Sequence, residues 1–586
     1  MFFSQDLELK LNNIQNEPID KRITLSGAIE ETLRAQMQLH FSCISALPYS
    51  SIREIIRQTT NKKLKFQVIS LGSASQIQML VAEGLVSKLI TSYVGDVYPR
   101  PGISPVFQRA VNNGLEIEQW SLMVISLRLY AGALGLKFIP TKSLIGSTMA
   151  IDNQKSYKIV SNPFNSTQDV AVVEELVPDV SFIHVWAADQ LGNAIICPPY
   201  SENLWGCFAS KKVIVTSEKI LSKDSIKNLA NSQQCLTLPG GIVDYVIESP
   251  FGGHPGSHYG PKGAGYDIDL DHLIKFRESA KDSEKLSSWM REWIHNTDQE
   301  SYLNKVGVER LAANYGHLDE SYWKWVITEK KNLIHIEQPA TAIENMIWVA
   351  SEIIKDRAIK GEYVTILAGQ GVSNLAAWLA TYSLSEAGKN INLLAEVGFY
   401  GYQPKPGSPY IFELNNLRSS TSILDSITSL GTVLYKTKSL GILGAGQIDQ
   451  FGNINSTRVE TFILFGSGGA NDAGSNANEI IVLIPLKTGR FPPKVPYITV
   501  PGKNVSVCVT TKAIFEKNKD ESFVLTGYIG EESNEEQILD EIGQTISWDL
   551  QIKRPLFKFH APSAEWLRFL RAFDPDRYFL GRFFMN

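Results

Sequence analysis

A five-residue pattern that occurs twice constrains this chain more than any other feature. Asp189-Gln190-Leu191-Gly192-Asn193 and Asp449-Gln450-Phe451-Gly452-Asn453 share Asp-Gln-x-Gly-Asn, about 260 residues apart. Each copy is followed by an apolar, β-rich run, Lys212–Thr216 in the first case and Ile480–Ile484 in the second. Each run is followed by a short strand ending in Pro-Gly, Leu236–Gly240 and Ile498–Gly502. Three matches in one order predict a duplicated domain. The two halves also begin alike. Residues 26–38 read as a helix, then come a short apolar segment and Leu47-Pro48 leading a second helix. Residues 341–357 read as a helix, Tyr363–Leu367 as a strand, and Gly369-Gln370-Gly371 as the turn into a helix at Asn374–Leu379. Apolar β-branched runs alternating with helical periods predict parallel strands with crossover helices. The expected fold class is therefore α/β, with two tandem homologous parallel-sheet domains. The first is placed at 1–332, with extra residues around 91–150 and a helical tail near 280–330. The second is placed at 338–550, the boundary falling in the polar segment from Glu329 to Pro339. Residues 551–586, rich in aromatic residues and Arg, read as a C-terminal extension docked on the body.

Charge and composition exclude several classes of function. The formal net charge is -5 over 586 residues, with no basic stripe of the kind nucleic acid requires. No apolar run approaches a membrane span. Met1-Phe2-Phe3-Ser4-Gln5-Asp6 lacks the basic start and apolar core of a signal peptide, so a cytoplasmic location is expected. The five cysteines, Cys43, Cys197, Cys207, Cys235 and Cys508, are odd in number and form no CxxC pair. They read as buried thiols in a reducing compartment, not as a disulfide or zinc framework.

Two local patterns could carry chemistry. In Gly466-Ser467-Gly468-Gly469-Ala470-Asn471-Asp472, closely spaced glycines can turn backbone N–H groups toward one anion or oxyanion, or simply form a tight turn. In Ala395-Glu396-Val397-Gly398-Phe399-Tyr400-Gly401, a carboxylate follows the apolar strand Ile391–Leu394. The carboxyl end of a parallel strand is where α/β sheets place their ligands. Glu396 there could act as a nucleophile or a base, or make a salt bridge. The corresponding position of the first half reads Gly72-Ser73-Ala74, so one active site per chain is expected. His254 and His258 have HxxxH spacing with Asp267, Asp269 and Asp271 downstream, but Pro255 and Gly256 argue against a shared helical face, and no metal site is expected.

With these residues in view, the sequence resembles the family I coenzyme A transferases, in particular the glutaconate-type branch with its α and β subunits fused in one chain. The first half resembles the α subunit in Gly114–Ser121, Leu127–Gly135 and Pro250–Pro255. The second resembles the β subunit in Gly-x-Gly-Gly-Ala-Asn-Asp, and the Asp-x-x-Gly-Asn pattern occurs in both. The resemblance implies the fold of that family and a ping-pong reaction through an acyl–glutamyl anhydride and a glutamyl-CoA thioester. It implies Glu396 as the nucleophile, with the Gly468 and Gly469 amides stabilising the oxyanion. It further implies substrate or CoA contacts at Gly369, Gly371, Gly398, Gly466, Asn471 and His254, with the loop around His254 shaping an acyl pocket. No permanently bound cofactor is expected. The coenzyme A thioester is a substrate, a carboxylic acid is the second partner, and a homodimer or larger homo-oligomer is expected. Glu118, or its neighbour Glu116, is the alternative base for a hydrolase or C–C lyase on this scaffold. A degenerate CoA-binding protein is the non-enzymatic alternative. Ser201-Glu202-Asn203 resembles the nucleophile segment of the succinyl-CoA branch, but it lies in the wrong half, and Ser201 reads as a helix N-cap. Two departures stand out: Phe41-Ser42-Cys43-Ile44 replaces a Gly-Gly turn, and Glu-Val-Gly surrounds the glutamate.

Overall fold

The computed structural model describes residues 19–62, 64–165, 169–196, 198–233, 235–261, 264–315, 321–519, 521–530 and 534–583. The signal-peptide reading at the first residues and the thiol of Cys197 lie outside these. Cys43, Cys207 and Cys508 are buried free thiols, and Cys235 is partly buried. No helix among the described residues is long and apolar enough to cross a membrane.

Two large sheets organise the molecule. Counting only their strands, the first contains β1 (Gln38–Phe41), β2 (Phe66–Ser73), β3 (Val86–Val94), β4 (Glu116–Gln119), β5 (Val180–Val185), β6 (Lys212–Ser217) and β7 (Tyr245–Glu248). Their order is β7-β6-β5-β1-β2-β3-β4, and every pairing is parallel. Crossover helices cover both faces of such a sheet, so its central strands are buried on both sides. Every residue of β5 is buried. The second sheet contains β8 (Thr365–Ala368), β9 (Asn392–Leu394), β10 (Phe399–Tyr400), β11 (Ser422–Ile423), β12 (Ser439–Gly444), β13 (Glu479–Leu483), β14 (Val505–Val509), β15 (Ala513–Glu516), β16 (Val524–Ile529) and β17 (Ile552–Phe559). Their order is β11-β10-β9-β8-β12-β13-β14-β15-β16-β17.

The core β14-β13-β12-β8-β9 repeats the order β7-β6-β5-β1-β2, so the duplication is topological as well as sequential. The repeated motif does the same work in both halves. Asp189 accepts the Leu191 and Asn193 amides on one oxygen and the Asn193 side chain on the other, while Asn193 accepts the Gly240 amide. Asp449 does so with Phe451 and Asn453, and Asn453 accepts the Gly502 amide. Each copy thus pins its own Pro-Gly turn to the rim of its sheet.

The halves differ at their margins. The first adds β3, β4, the helix Leu122–Ala133 and a three-stranded antiparallel sheet of Phe138–Thr141, Tyr157–Ser161 and Asp169–Glu174. That helix is apolar nearly all round because it is buried nearly all round. The second half draws on the C-terminal residues. β17 pairs in parallel with β16, and the helix Ala564–Phe573 packs on the helix Val372–Glu386. Its anchor is Glu344, which closes a capping box with Thr341 at the start of the helix Ala342–Lys360. Glu344 is fully buried and receives Arg571 on both oxygens, at 2.8 and 3.0 Å, and Arg577 at 2.9 Å.

Candidate active site

Glu396 sits two residues beyond the end of β9, in the turn joining it to β10. Two backbone bonds shape this turn, from the Gly398 amide to the Ala395 carbonyl and from the Ala395 amide to the Phe399 carbonyl. Gly398 has φ +118, and a Cβ there would meet the Leu424 carbonyl at 1.9 Å, so no other residue closes this turn. The Ser429 hydroxyl holds the Glu396 carbonyl at 2.8 Å. The side chain keeps some exposure but is enclosed on most sides, and its Oε2 accepts the Gly469 amide at 2.9 Å. Burial pushes the carboxyl up to about 7; the Gly469 amide opposes this, and the nearby Asp472 adds to it. A methyl on Gly469 would lie 2.5 Å from that oxygen, so the close approach requires glycine.

The glycine loop is also the seam between the halves. Gly466 bridges Tyr93 of β3. The Gly468 amide donates to the Ser92 carbonyl at 2.9 Å, and its carbonyl accepts the Leu122 amide at 3.0 Å. The expectation of two amides converging on an oxyanion is corrected here: Gly468 spends its N–H on Ser92, leaving the Gly469 amide as the donor beside the carboxylate. The expected substrate contact of Asn471 is corrected too. Asn471 is fully buried, accepting the Leu144 amide and donating to the Thr499 carbonyl. Asp472 beside it accepts the Ser121 and Ser143 hydroxyls and the Met123 amide. Burial nonetheless raises its carboxyl to about 6.

The remaining sequence candidates scatter. Gly369 and Gly371 follow β8, whose Leu367 pairs with Leu394 of β9, so they share a sheet edge with Glu396 and face open space. His254 does not line a pocket. It is buried between the Tyr302 hydroxyl (2.7 Å) and Asp269 (3.1 Å), and the adjoining Gly256 and Ser257 reach a cavity in its place. Glu118 lies against Lys88, the Trp120 indole and Arg128, at 2.6, 2.6 and 3.2 Å, while Glu116 also pairs with Lys88. Burial pushes Glu118 up, but these partners outweigh it and hold the carboxyl below its ordinary value, which makes it a poor proton acceptor. Ser201 is not an N-cap. It stands at φ +46, and Glu202 occupies the cap position of the helix Asn203–Ala209 without capping it. His258 is far from sharing a ligand with His254. Its ring instead joins His184 and Glu218, whose ligand atoms all lie within 4.8 Å of one another. In that group Glu218 already accepts the Tyr266 hydroxyl, the Phe251 amide and His184.

Sequence reasoning missed a buried group next to the carboxylate. The Cys43 thiol donates to Glu202 Oε2 at 3.2 Å and lies 3.4 Å from the Ser201 hydroxyl. Ser201 in turn meets Ser426 of the second half, through side chains at 3.2 Å and through the Ser426 amide. Burial holds the Cys43 thiol well above its ordinary value, with Glu202 adding to it. The one available signal was the replacement of a Gly-Gly turn by Ser42-Cys43.

Both halves of the chain are similar to known proteins. Residues 22–249 match the family model described as coenzyme A transferase, and both subunit types of a glutaconate CoA-transferase match within this one chain. The first half carries a coenzyme A transferase domain. The A-type subunit of the Acidaminococcus fermentans glutaconate CoA-transferase is 29% identical over 285 residues, covering 45% of this chain and 84% of its own length. The B-type subunit from the same organism is 28% identical over 171 residues, covering 25% and 62%. An acyl-CoA transferase of Escherichia coli O157:H7, solved as a thioester complex with CoA, shares the fold at a TM-score of 0.63 and 16% identity, covering 93% of this chain and 95% of its own.

Proposed function

We propose that this chain moves coenzyme A from an acyl-CoA thioester to a carboxylic acid, with Glu396 as the covalent nucleophile. The observation that carries the reading is the Glu396 carboxylate held 2.9 Å from the Gly469 amide, its proton affinity raised by burial. Desolvation raises the nucleophilicity of a carboxylate, and fixed geometry supplies effective concentration. A Glu396 oxygen attacks the thioester carbonyl, the C–S bond breaks, and CoA thiolate leaves an acyl–glutamyl anhydride. The thiolate then attacks the glutamyl carbonyl and expels the first acid as its carboxylate, giving a glutamyl-CoA thioester. The second acid's carboxylate attacks that thioester and releases CoA thiolate, which takes the new acyl group and frees Glu396. The Gly469 amide is placed to donate to charge developing at the glutamyl oxygens. The reading includes no resident cofactor, a reducing cytoplasmic setting supported by the unbridged thiols, and self-association of the chain.

Intact-mass spectrometry of the protein incubated with acyl-CoA esters tests it. A CoA-sized, borohydride-sensitive adduct is expected on the wild type and absent from Glu396→Ala. Release of free CoA with no adduct would replace transfer by hydrolysis.

The nucleophile must be ionised. Single-turnover adduct formation should therefore rise with pH through about 7, falling tenfold per pH unit well below that. A rate independent of pH between 5 and 8 would contradict this assignment.

A further inference from the structure

The carboxyl ends of β1 and β2 border a cavity of about 110 Å³. Ile44, Leu47, Tyr98, Leu273, Phe276 and the second half's Phe412 are among the residues of its wall. Cys43 lies in the same wall, and its thiol meets Ser201, which reaches Ser426 in the segment whose Ser429 holds the Glu396 carbonyl. Gly72 lines the space near the end of β2, the strand that corresponds to β9, and a Cβ there would meet no atom within 4 Å. The cavity shares Tyr98, Ser257, Ile268 and Phe412 with an outer cavity of about 300 Å³, so the two adjoin.

The polar groups of the inner wall are already committed to one another. Arg277 is paired with Asp96 at 2.9 Å and donates to the Tyr98 and Arg100 carbonyls. The Tyr49 and Ser75 hydroxyls are bonded at 2.6 Å, Gln76 donates to the Gly72 carbonyl, and the Cys43 thiol to Glu202. Among the described lining residues the one cation, Arg277, is already paired with Asp96, so a second carboxylate would compete with Asp96 for it. The outer cavity repeats this: Asp267, Glu329, Glu413 and Asp576 line it, and its lysine, Lys330, is bonded to Asp576.

We infer that this cavity receives the acyl group of the substrate and selects short, apolar monocarboxylic acyl groups, straight or branched, over dicarboxylic ones. An apolar cavity of about 150 Å³ takes a benzene, so this one suits roughly four or five carbons. Burying an unpaired carboxylate against Asp96 is the disfavoured alternative. The inference rests on Glu396 being the reacting group.

The test has two arms. Binding is measured on the Glu396→Gln chain with isovaleryl-CoA, acetyl-CoA and glutaryl-CoA, and adduct formation is timed on the otherwise unaltered chain with the same esters. Isovaleryl-CoA should bind about 100-fold more tightly than glutaryl-CoA. In chains also carrying Gly72→Val, isovaleryl-CoA should fall to the affinity of acetyl-CoA, whose own affinity stays unchanged. Equal or reversed binding of isovaleryl- and glutaryl-CoA would overturn the acyl assignment. The expected binding order with no adduct from any ester would leave that assignment standing and remove Glu396 as nucleophile.

Discussion

Glu396→Gln should lower turnover on the order of 10⁴-fold or more, as removal of a covalent nucleophile does elsewhere, without unfolding the chain. The amide is isosteric, and its carbonyl oxygen can still accept from Gly469, so the turn pinned by Gly398 and Ser429 should survive. What it loses is the ability to carry negative charge and attack a thioester carbonyl. A stability measurement accompanies this. The folded-state pKa of Glu396 stands at about 7, above its ordinary 4.5. The stability that this carboxyl contributes is therefore fully present below 4.5 and is lost as pH rises through about 7. The glutamine does not titrate. Its melting temperature should gain on the wild type between these values and stay ahead at higher pH. A variant that retains most activity, or whose relative stability ignores pH, would show that Glu396 is neither the nucleophile nor desolvated.

The second large effect is structural. Arg571→Ala should destabilise the chain by about 3–5 kcal/mol, the range for breaking a buried ion pair from one side. Arg571 is 1% exposed and meets Glu344 with both oxygens, and it also donates to the Gln338 and Pro339 carbonyls. Its loss leaves the buried carboxylate with Arg577 as its remaining cation and loosens the segment leading into the second half. Burial raises the Glu344 carboxyl, but Arg571 and then the capping bond from Thr341 outweigh it, so the net value lies below the ordinary 4.5. The contribution is thus present above 4.5 and lost as pH falls through the lower, folded value. Equilibrium denaturation near neutral pH, with amide exchange in the helix Ala564–Phe573, measures the effect. A change under about 1 kcal/mol would mean that this helix is dispensable to the second half.

Much of this architecture is legible in the sequence because it is local. Asp-Gln-x-Gly-Asn bonds within itself, so the same residues imply the same loop twice. Glu396 is recognisable because it directly follows an apolar strand and precedes Gly398. What sequence hides is the destination of each group. Nothing in Gly466–Gly469 reveals that Ser92 of the other half takes the Gly468 amide, or that Asn471 faces inward to Leu144 and Thr499. His254 sits in a glycine-rich loop that does border a cavity, yet its ring turns toward Tyr302 and Asp269. Ser201 and Glu202 were set aside as lying in the wrong half, whereas the chain crossing puts Ser201 beside Asp425 and Ser426. Spacing along a chain cannot show such a crossing.

The seam at the glycine loop has a consequence for assembly. One face of the loop contacts Glu396, and the other is bonded to Ser92 and Leu122. Neither half alone can therefore hold a finished site, and two free polypeptides would have to find each other before any chemistry began. Here the tether between Glu329 and Thr341 makes that encounter intramolecular, at an effective concentration on the order of millimolar. Activity per molecule should then persist on dilution, as far as the seam is concerned, and a chain nicked in this tether should remain active while its pieces stay docked, fading only as they part.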